Sequence, residues 1–434
     1  MSKRTFSLLF MGALCGASFA ADFTAPQRIT NGAAKYNLSR TPNSILALDS
    51  AGKLHLTYWS GGIQTTPGTP SYVYYRSWTV TEGFSPQVSI DDSRVGPNHV
   101  GGRHPSITVT ADNTVWVVWH DHRDSTADGN WINNVEIYGD RLPPGGSFGS
   151  TDIRLTNTNA GHPGDNGYTP KIARGPDGRL SLAWYDSHFS SGDFADIFLK
   201  TSDPLGVFDL GEPMSAMRLT DLADHPTIPY SVPDFAVDSS GTRHLAWAGG
   251  YGPDVNLYYA AAPLGATTVQ EVLLAPGATD FFDPPRMVCA PNGDVWIACG
   301  DDSNPQGEDV VLFRRRAGQP TFDPPISIAP DPARQYAPDL EVDSQGKVHL
   351  VWVDERGGAH VLYGVYDPLL DQLLEEQPVT PEPGNWARPS LALGPDGDTH
   401  VIWEEDRALG EGDIWFCTTK RPPTSSVEAW SLYE

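Results

Sequence analysis

Twelve histidines occur in this chain of 434 residues, and their spacing sorts them. His99, His104, His120, His122, His162, His188 and His225 fall in one span, together with Arg103, Arg123, Tyr168, Tyr185 and Tyr230. Imidazole, phenol and guanidinium form a set suited to removing a proton beside a carboxylate. The cation offsets the carboxylate's charge, a His or Tyr takes the acidic proton, and a second such group protonates the leaving oxygen. His104, His120, Tyr168 and Tyr230 are the candidate catalytic groups. Arg103, His122, Arg123, Tyr185 and His188 are the candidate substrate-binding groups. A plainer reading of the same span is a polar loop surface. His120-x-His122 with His104 also has a spacing at which extended backbone presents two imidazoles on one face to a metal ion, but neither a metal nor another cofactor is expected.

The elements that must hold these residues repeat. Gln335–Asp367 reads as three short strands, with apolar and polar residues alternating between Asp/Ser/Gly turns. Aligned on its turn residue Gly346, the pattern recurs at Gly52, Asn113, Gly178, Gly241, Gly293 and Gly397, making seven copies. Six residues after the turn stand Tyr58, Trp119, Trp184, Trp247, Cys299, Trp352 and Trp403. Eight residues before it, six copies carry proline, and the first carries Ser44. Segments between copies supply a fourth strand: 87–90, 152–156, 217–220, 271–274, 326–329 and 377–380. Seven four-stranded antiparallel units of this length predict an all-β, seven-bladed propeller. The last copy lacks a fourth strand, and Arg28-Ile29-Thr30 matches Arg154-Leu155-Thr156 and Arg218-Leu219-Thr220. The N-terminal strand is therefore expected to complete blade 7 and close the ring. The crossings into each blade and the loops after each aromatic then share one face. The histidine-rich span, with its long loops, lies on that face over blades 2 to 4.

The repeat also identifies structural residues. His55, His244, His349 and His400 each stand three residues after the turn. On separate blades they cannot converge on one ion, so hydrogen-bonded core roles are expected. Asp121, Asp186, Asp301, Asp354 and Glu405 stand eight after the turn, with Arg123, Arg356 and Arg407 two further on. Repetition favours loop stiffening through bonds to backbone N–H groups.

Lys3 and Arg4 precede the apolar run 6–14, and Ser18-Phe19-Ala20 offers a small-x-small cleavage site. Residues 1–20 therefore read as a secretory leader, residues 21–420 as the propeller and residues 421–434 as a tail. The expected product is secreted, periplasmic or extracellular, and monomeric. No later run is long enough for a membrane-spanning helix. The formal net charge of −25 argues against nucleic acid and anionic membrane surfaces as partners. Cys289, Cys299 and Cys417 occupy positions expected to be buried and unbridged.

The unit P-x-[L/I]-x-[V/L]-D-x-x-G-x-x-[H/W]-[L/V]-x-W-x-D resembles the repeat of the sialidase-like propellers over nearly the whole chain after the leader. Their Ser-x-Asp-x-Gly-x-Thr-Trp box is replaced here by turns such as Asp343-Ser-Gln-Gly346. Within that superfamily, His104, His120, Tyr168 and Tyr230 stand at positions similar to those of the histidines and tyrosines of propeller lyases acting on ulvan-type sulfated uronans. That likeness implies a polysaccharide lyase working on an extracellular acidic glycan, with Tyr185 where an arginine would be wanted. A second expectation is a non-catalytic glycan-binding propeller, with Tyr36, Tyr336 and Trp386 as stacking platforms. A third is a sialidase-like glycoside hydrolase. Sialidases carry an Arg-Ile-Pro element near the N-terminus, and the only counterpart, Arg28-Ile29-Thr30, is already used as the closing strand.

Overall fold

A computed structural model of the chain describes residues 21–30, 36–38, 45–61, 71–92, 101–123, 135–156, 167–186, 196–209, 216–220, 233–249, 255–276, 284–301, 307–407 and 411–422. It is a seven-bladed propeller of antiparallel sheets. Blade 2 is typical: Gly102–Val109 is innermost, followed outward by Val115–Asp121, Glu136–Leu142 and Ile153–Arg154. The inner strands of blades 1 to 7 are Leu46–Leu48, Gly102–Val109, Gly167–Arg174, Asp234–Val237, Arg286–Cys289, Gln335–Val342 and Trp386–Leu393, and each meets the next around a closed ring. Blade 1, the copy without the proline, differs. Tyr36–Asn37 and Leu46–Leu48 both pair with Leu54–Ser60, so its inner edge comes in two pieces. In blade 6 the outer strand is Gln372–Pro378, longer and earlier than the 377–380 expected, because the turn after Asp367 leads straight into it.

The closing strand pairs as expected, with Gln27 opposite Phe416 and Arg28 opposite Trp415. The reason is legible in its side chains. Arg28 and Thr30 both bind Asp413 at the start of blade 7's third strand. Arg154 and Thr156 bind Glu136 in blade 2, and Arg218 and Thr220 bind Asp196 in blade 3. The Arg-x-Thr pattern is thus a clasp for a buried acid, supplied in blade 7 from the other end of the chain.

Each seam between blades is filled by the repeat's sixth-position residue. Trp119 packs with Val73 and Tyr75 of blade 1, Trp352 with Trp296 and Leu312 of blade 5, and Tyr58 with Ile402 and Phe416 of blade 7. Trp119, Trp247, Trp352 and Trp403 are fully buried, and Cys299 takes the same role in blade 5. Cys289, Cys299 and Cys417 form no disulfide. The acid two residues later ties the loop down. Asp121 accepts the Trp119 indole N–H (3.0 Å) and the Arg123 backbone N–H (2.8 Å). Asp354 does the same for Trp352 (3.1 Å) and Arg356 (2.9 Å).

On the opposite face the turns are Asp-capped. Asp343 accepts the N–H groups of Gln345 (2.8 Å) and Lys347 (2.9 Å), and Gly346 takes the left-handed φ of +83° that such a turn favours in glycine. Its other oxygen lies 3.3 Å from His349 Nε2, while His349 Nδ1 meets Tyr363 Oη at 2.7 Å. His244 repeats this with Asp238 and Tyr259, and His55 Nδ1 meets Tyr75 Oη at 2.6 Å. His400 Nδ1 instead meets the Thr418 hydroxyl at 2.9 Å. All four repeat histidines are therefore hydrogen-bonded structural residues, three of them buried and His349 nearly so.

Burial lowers the pKa of all four, bringing His55 and His400 down to about 4. An unfolded histidine binds its proton near 6.5. The unfolded chain therefore takes up more protons between about pH 6.5 and 4. The contribution of these rings to stability is complete above that window and falls as pH drops through it. We expect the melting temperature of a His400→Gln protein to fall less steeply than the parent's between pH 6.5 and 4. Parallel profiles would show that His400 titrates normally in the fold.

Candidate active site

The chain enters blade 2 through Gly101-Gly102-Arg103-His104-Pro105, and the two glycines permit a close approach. A Cβ on Gly101 would stand 2.1 Å from the Ser71 carbonyl oxygen, and one on Gly102 would stand 2.4 Å from the Trp119 ring. The Gly102 N–H donates to Asp91 at 2.8 Å. This strand end is thereby pressed against blade 1, carrying Arg103 and His104 into the seam.

His104 has φ +50°, within a register shift between Arg103 and Ser106. Thr169, Ala337 and Arg388 share that left-handed φ, each before its repeat proline and each in the same kind of shift. Recurrence in blades 3, 6 and 7 marks a β-bulge of the repeat, which re-aims the residues at the strand's start. The strain alone is not evidence of chemistry. In blade 2 the bulge carries an arginine and a histidine, and that is particular to this site.

The rings form a chain across the seam. Trp59 and His104 have centroids 5.2 Å apart, His104 and His120 5.1 Å, and His120 and His122 5.3 Å. From blade 3, the Thr169 N–H donates to His120 Nδ1 at 3.1 Å. With Nδ1 an acceptor, the ring proton is assigned to Nε2. Burial, reinforced by His104, His122 and Arg103, holds the pKa of His120 well below its ordinary value. At neutral pH this ring is a neutral imidazole carrying an Nε2–H.

Arg103 lies over the Trp59 ring at 5.5 Å, and its Nε donates to Ser71 Oγ at 3.2 Å. It is 4% exposed, and burial lowers its pKa to about 10. Among the described residues no carboxylate pairs with it. Two other buried cations are committed. Lys171 of blade 3 binds Asp234 of blade 4. Arg243, as buried as Arg103, donates to the carbonyls of Ala262 (2.9 Å) and Pro263 (2.8 Å).

Arg123 is placed differently from Arg103. Its guanidinium binds Asp152 (2.6 Å), Asp121 (2.7 Å) and Asp91 (3.3 Å) and lies 4.0 Å over Tyr138. Burial works against its charge, but Asp121 and Asp152 raise its pKa above the ordinary value. Its charge is spent holding the outer part of blade 2 together. Tyr185, one residue after Trp184, is partly exposed, and burial lifts its phenol pKa, so it stays protonated. Its register partner is Tyr168, at the start of the blade 3 inner strand. Tyr230 and His188, with His99, His162 and His225, lie outside the described residues. Among the described residues no group of three His, Cys, Asp or Glu is placed to hold a metal ion.

Trp59 belongs to this site too, although it is not among the candidates that residue type and spacing single out. The signal was present: Trp59, His120 and Tyr185 occupy one repeat position, seven after the turn. Alternation sends the sixth-position aromatic into one seam, so the seventh faces the other way.

No family model matches the chain, and no curated protein matches it. Solved structures do. An ulvan lyase described as founding polysaccharide lyase family PL25 aligns over 88% of this chain and 94% of its own, at 10% identity and a TM-score of 0.57. A polysaccharide lyase called Uly1 aligns over 90% and 93%, at 12% identity and a TM-score of 0.52. A protein of unknown function from Dyadobacter fermentans aligns over 91% and 98%, at 11% identity and a TM-score of 0.52. At these identities the likeness is one of fold. The chain shares with them the architecture of a β-propeller.

Proposed function

We propose that this protein is an exported lyase that binds a uronate-containing polysaccharide on the crossing face of blades 1 to 3 and cleaves it by β-elimination. The observation that carries the reading is Arg103, a buried cation without a described carboxylate partner, beside two histidines. A buried charge left unpaired is costly, and a substrate carboxylate would supply its missing partner. The solved lyases that share the fold support the same reading, one of them described as bound to GlcA(1-4)Rha3S.

In this reading Arg103 takes the uronate carboxylate and so acidifies the neighbouring carbon–hydrogen bond. His104 removes that proton. The electron pair forms the new carbon–carbon double bond and the glycosidic carbon–oxygen bond breaks. His120, with Nδ1 held by Thr169, donates from Nε2–H to the substrate. Tyr168 and Tyr230 are the proton sources for the leaving oxygen, and Trp59 is a face on which a sugar ring stacks.

Incubation with a panel of uronic-acid polysaccharides is expected to produce unsaturated chain ends absorbing in the near ultraviolet. Tight binding across the panel without new absorbance would replace this reading with a glycan-binding propeller. A specific feature favours that second reading. Tyr36, Tyr72 and Tyr74 form a half-buried aromatic cluster on blade 1, with Tyr74 6.1 Å from Tyr36 and 6.3 Å from Tyr72.

A further inference from the structure

The segment that closes the ring does more than pair with blade 7. Before reaching Gln27 it runs back over blade 6. Thr24 and Thr418 of blade 7 bond in both directions, the Thr24 N–H to the Thr418 carbonyl at 2.8 Å and the Thr418 N–H to Thr24 Oγ1 at 3.2 Å. Phe23 then packs edge-on against Tyr363 of blade 6, with centroids 5.1 Å apart. Finally the Ala21 nitrogen donates to the Glu375 carboxylate on blade 6's outer strand. Gln377, two residues along that strand, donates to the Ala21 carbonyl at 2.8 Å and to Glu375 Oε1 at 3.0 Å. Ala21 and Phe23 join the apolar cluster that fills the seam between blades 6 and 7.

The residue so held is the one that follows the small-x-small site Ser18-Phe19-Ala20. We propose that the leader is removed between Ala20 and Ala21 and that the α-ammonium so released seats on Glu375, strapping blade 6 to blade 7. The step is hydrolysis by a processing peptidase of the export route. Water supplies the oxygen of the new Ala20 carboxylate, and the Ala21 nitrogen leaves as an amine that is protonated at neutral pH. An amide N–H donates one hydrogen bond to Glu375. An ammonium adds two donors and a full charge, a stronger partner for a half-buried carboxylate. Processing thereby completes the clasp that the N-terminal strand begins, and blade 7 is held from both of its neighbours. The inference stands independently of the reaction proposed for the crossing face.

The exported protein is expected to begin at Ala21 by intact mass and terminal sequencing. Four proteins then separate the ion pair from the hydrogen bond: the processed chain, its Glu375→Gln variant, a chain extended by one glycine before Ala21, and the combination. The extension keeps a donor at Ala21 but moves the charge away. Each single change is expected to lower Tm by about 2 °C, and the combination no further than either alone, since all remove one interaction. The α-amino group loses its proton near pH 8 when unfolded and higher when paired. The Tm advantage of the processed chain over Glu375→Gln should therefore be present below pH 8 while Glu375, whose pKa burial raises, stays ionised, and should be lost as pH rises beyond 8. A start at another residue, or equal melting of all four proteins, would overturn the proposal.

Discussion

Replacing Arg103 with methionine is expected to reduce elimination about 10²–10³-fold while leaving the protein folded, with a Tm at or slightly above the parent's. The first half follows from the proposed role. Removing one preorganised charge from a water-poor site costs catalysis on that scale. The second half follows from the present environment of the side chain. Arg103 is buried over Trp59 with a hydrogen bond to Ser71 and no described carboxylate partner. An apolar side chain of similar length keeps the contact with Trp59 and removes the cost of burying the cation. Arg103→Lys should fall between the two, because an ammonium keeps the charge but not the planar fork that grips a carboxylate. The matching change at Arg123 should behave in the opposite way. It leaves Asp91, Asp121 and Asp152 facing one another without their cation, so stability is lost first. Turnover of Arg103→Met equal to the parent's would place the carboxylate partner elsewhere on the crossing face. A collapse of its Tm would make Arg103 a structural residue.

Trp352→Ala is expected to cost about 3–5 kcal/mol of stability, the range for deleting a fully buried aromatic side chain. Trp352 is wholly inaccessible and fills the seam between blades 5 and 6 against Trp296, Val310 and Leu312. The cavity has little freedom to collapse, because a rigid strand forms each wall. Gly364 lies so close that a Cβ there would stand 3.0 Å from the indole. The substitution also removes the indole N–H from Asp354, the carboxylate that fixes the Arg356 loop. Urea unfolding followed by circular dichroism measures the loss. A variant that unfolds at the parent's midpoint would show that the seams are not where this fold draws its stability.

The sequence alone determined the number of blades, the strand that closes the ring, the seam aromatics and the structural rank of the repeat histidines. These are local or periodic properties. Alternation of apolar and polar residues assigns each side chain to a face, and seven copies in one register average out the exceptions. Arg28-Ile29-Thr30 could be placed at the far end of the chain because its clasp pattern recurs beside Glu136 and Asp196. The tertiary structure decided which members of the histidine-rich span share a site. Arg103 and Arg123 both stand in the histidine-rich span, yet Arg123 meets three carboxylates and Arg103 a tryptophan and a hydroxyl. Most of those partners lie far along the chain, Trp59 and Ser71 in blade 1 and Asp152 in blade 2 among them. The proton on His120 is placed by a backbone N–H from blade 3, and Trp59 enters the site only because blade 1 packs beside the bulge at His104. Periodicity fixes the direction of a side chain within its own blade. What that side chain meets is set by the packing of neighbouring blades and the paths of their crossings, which no pattern within one repeat encodes.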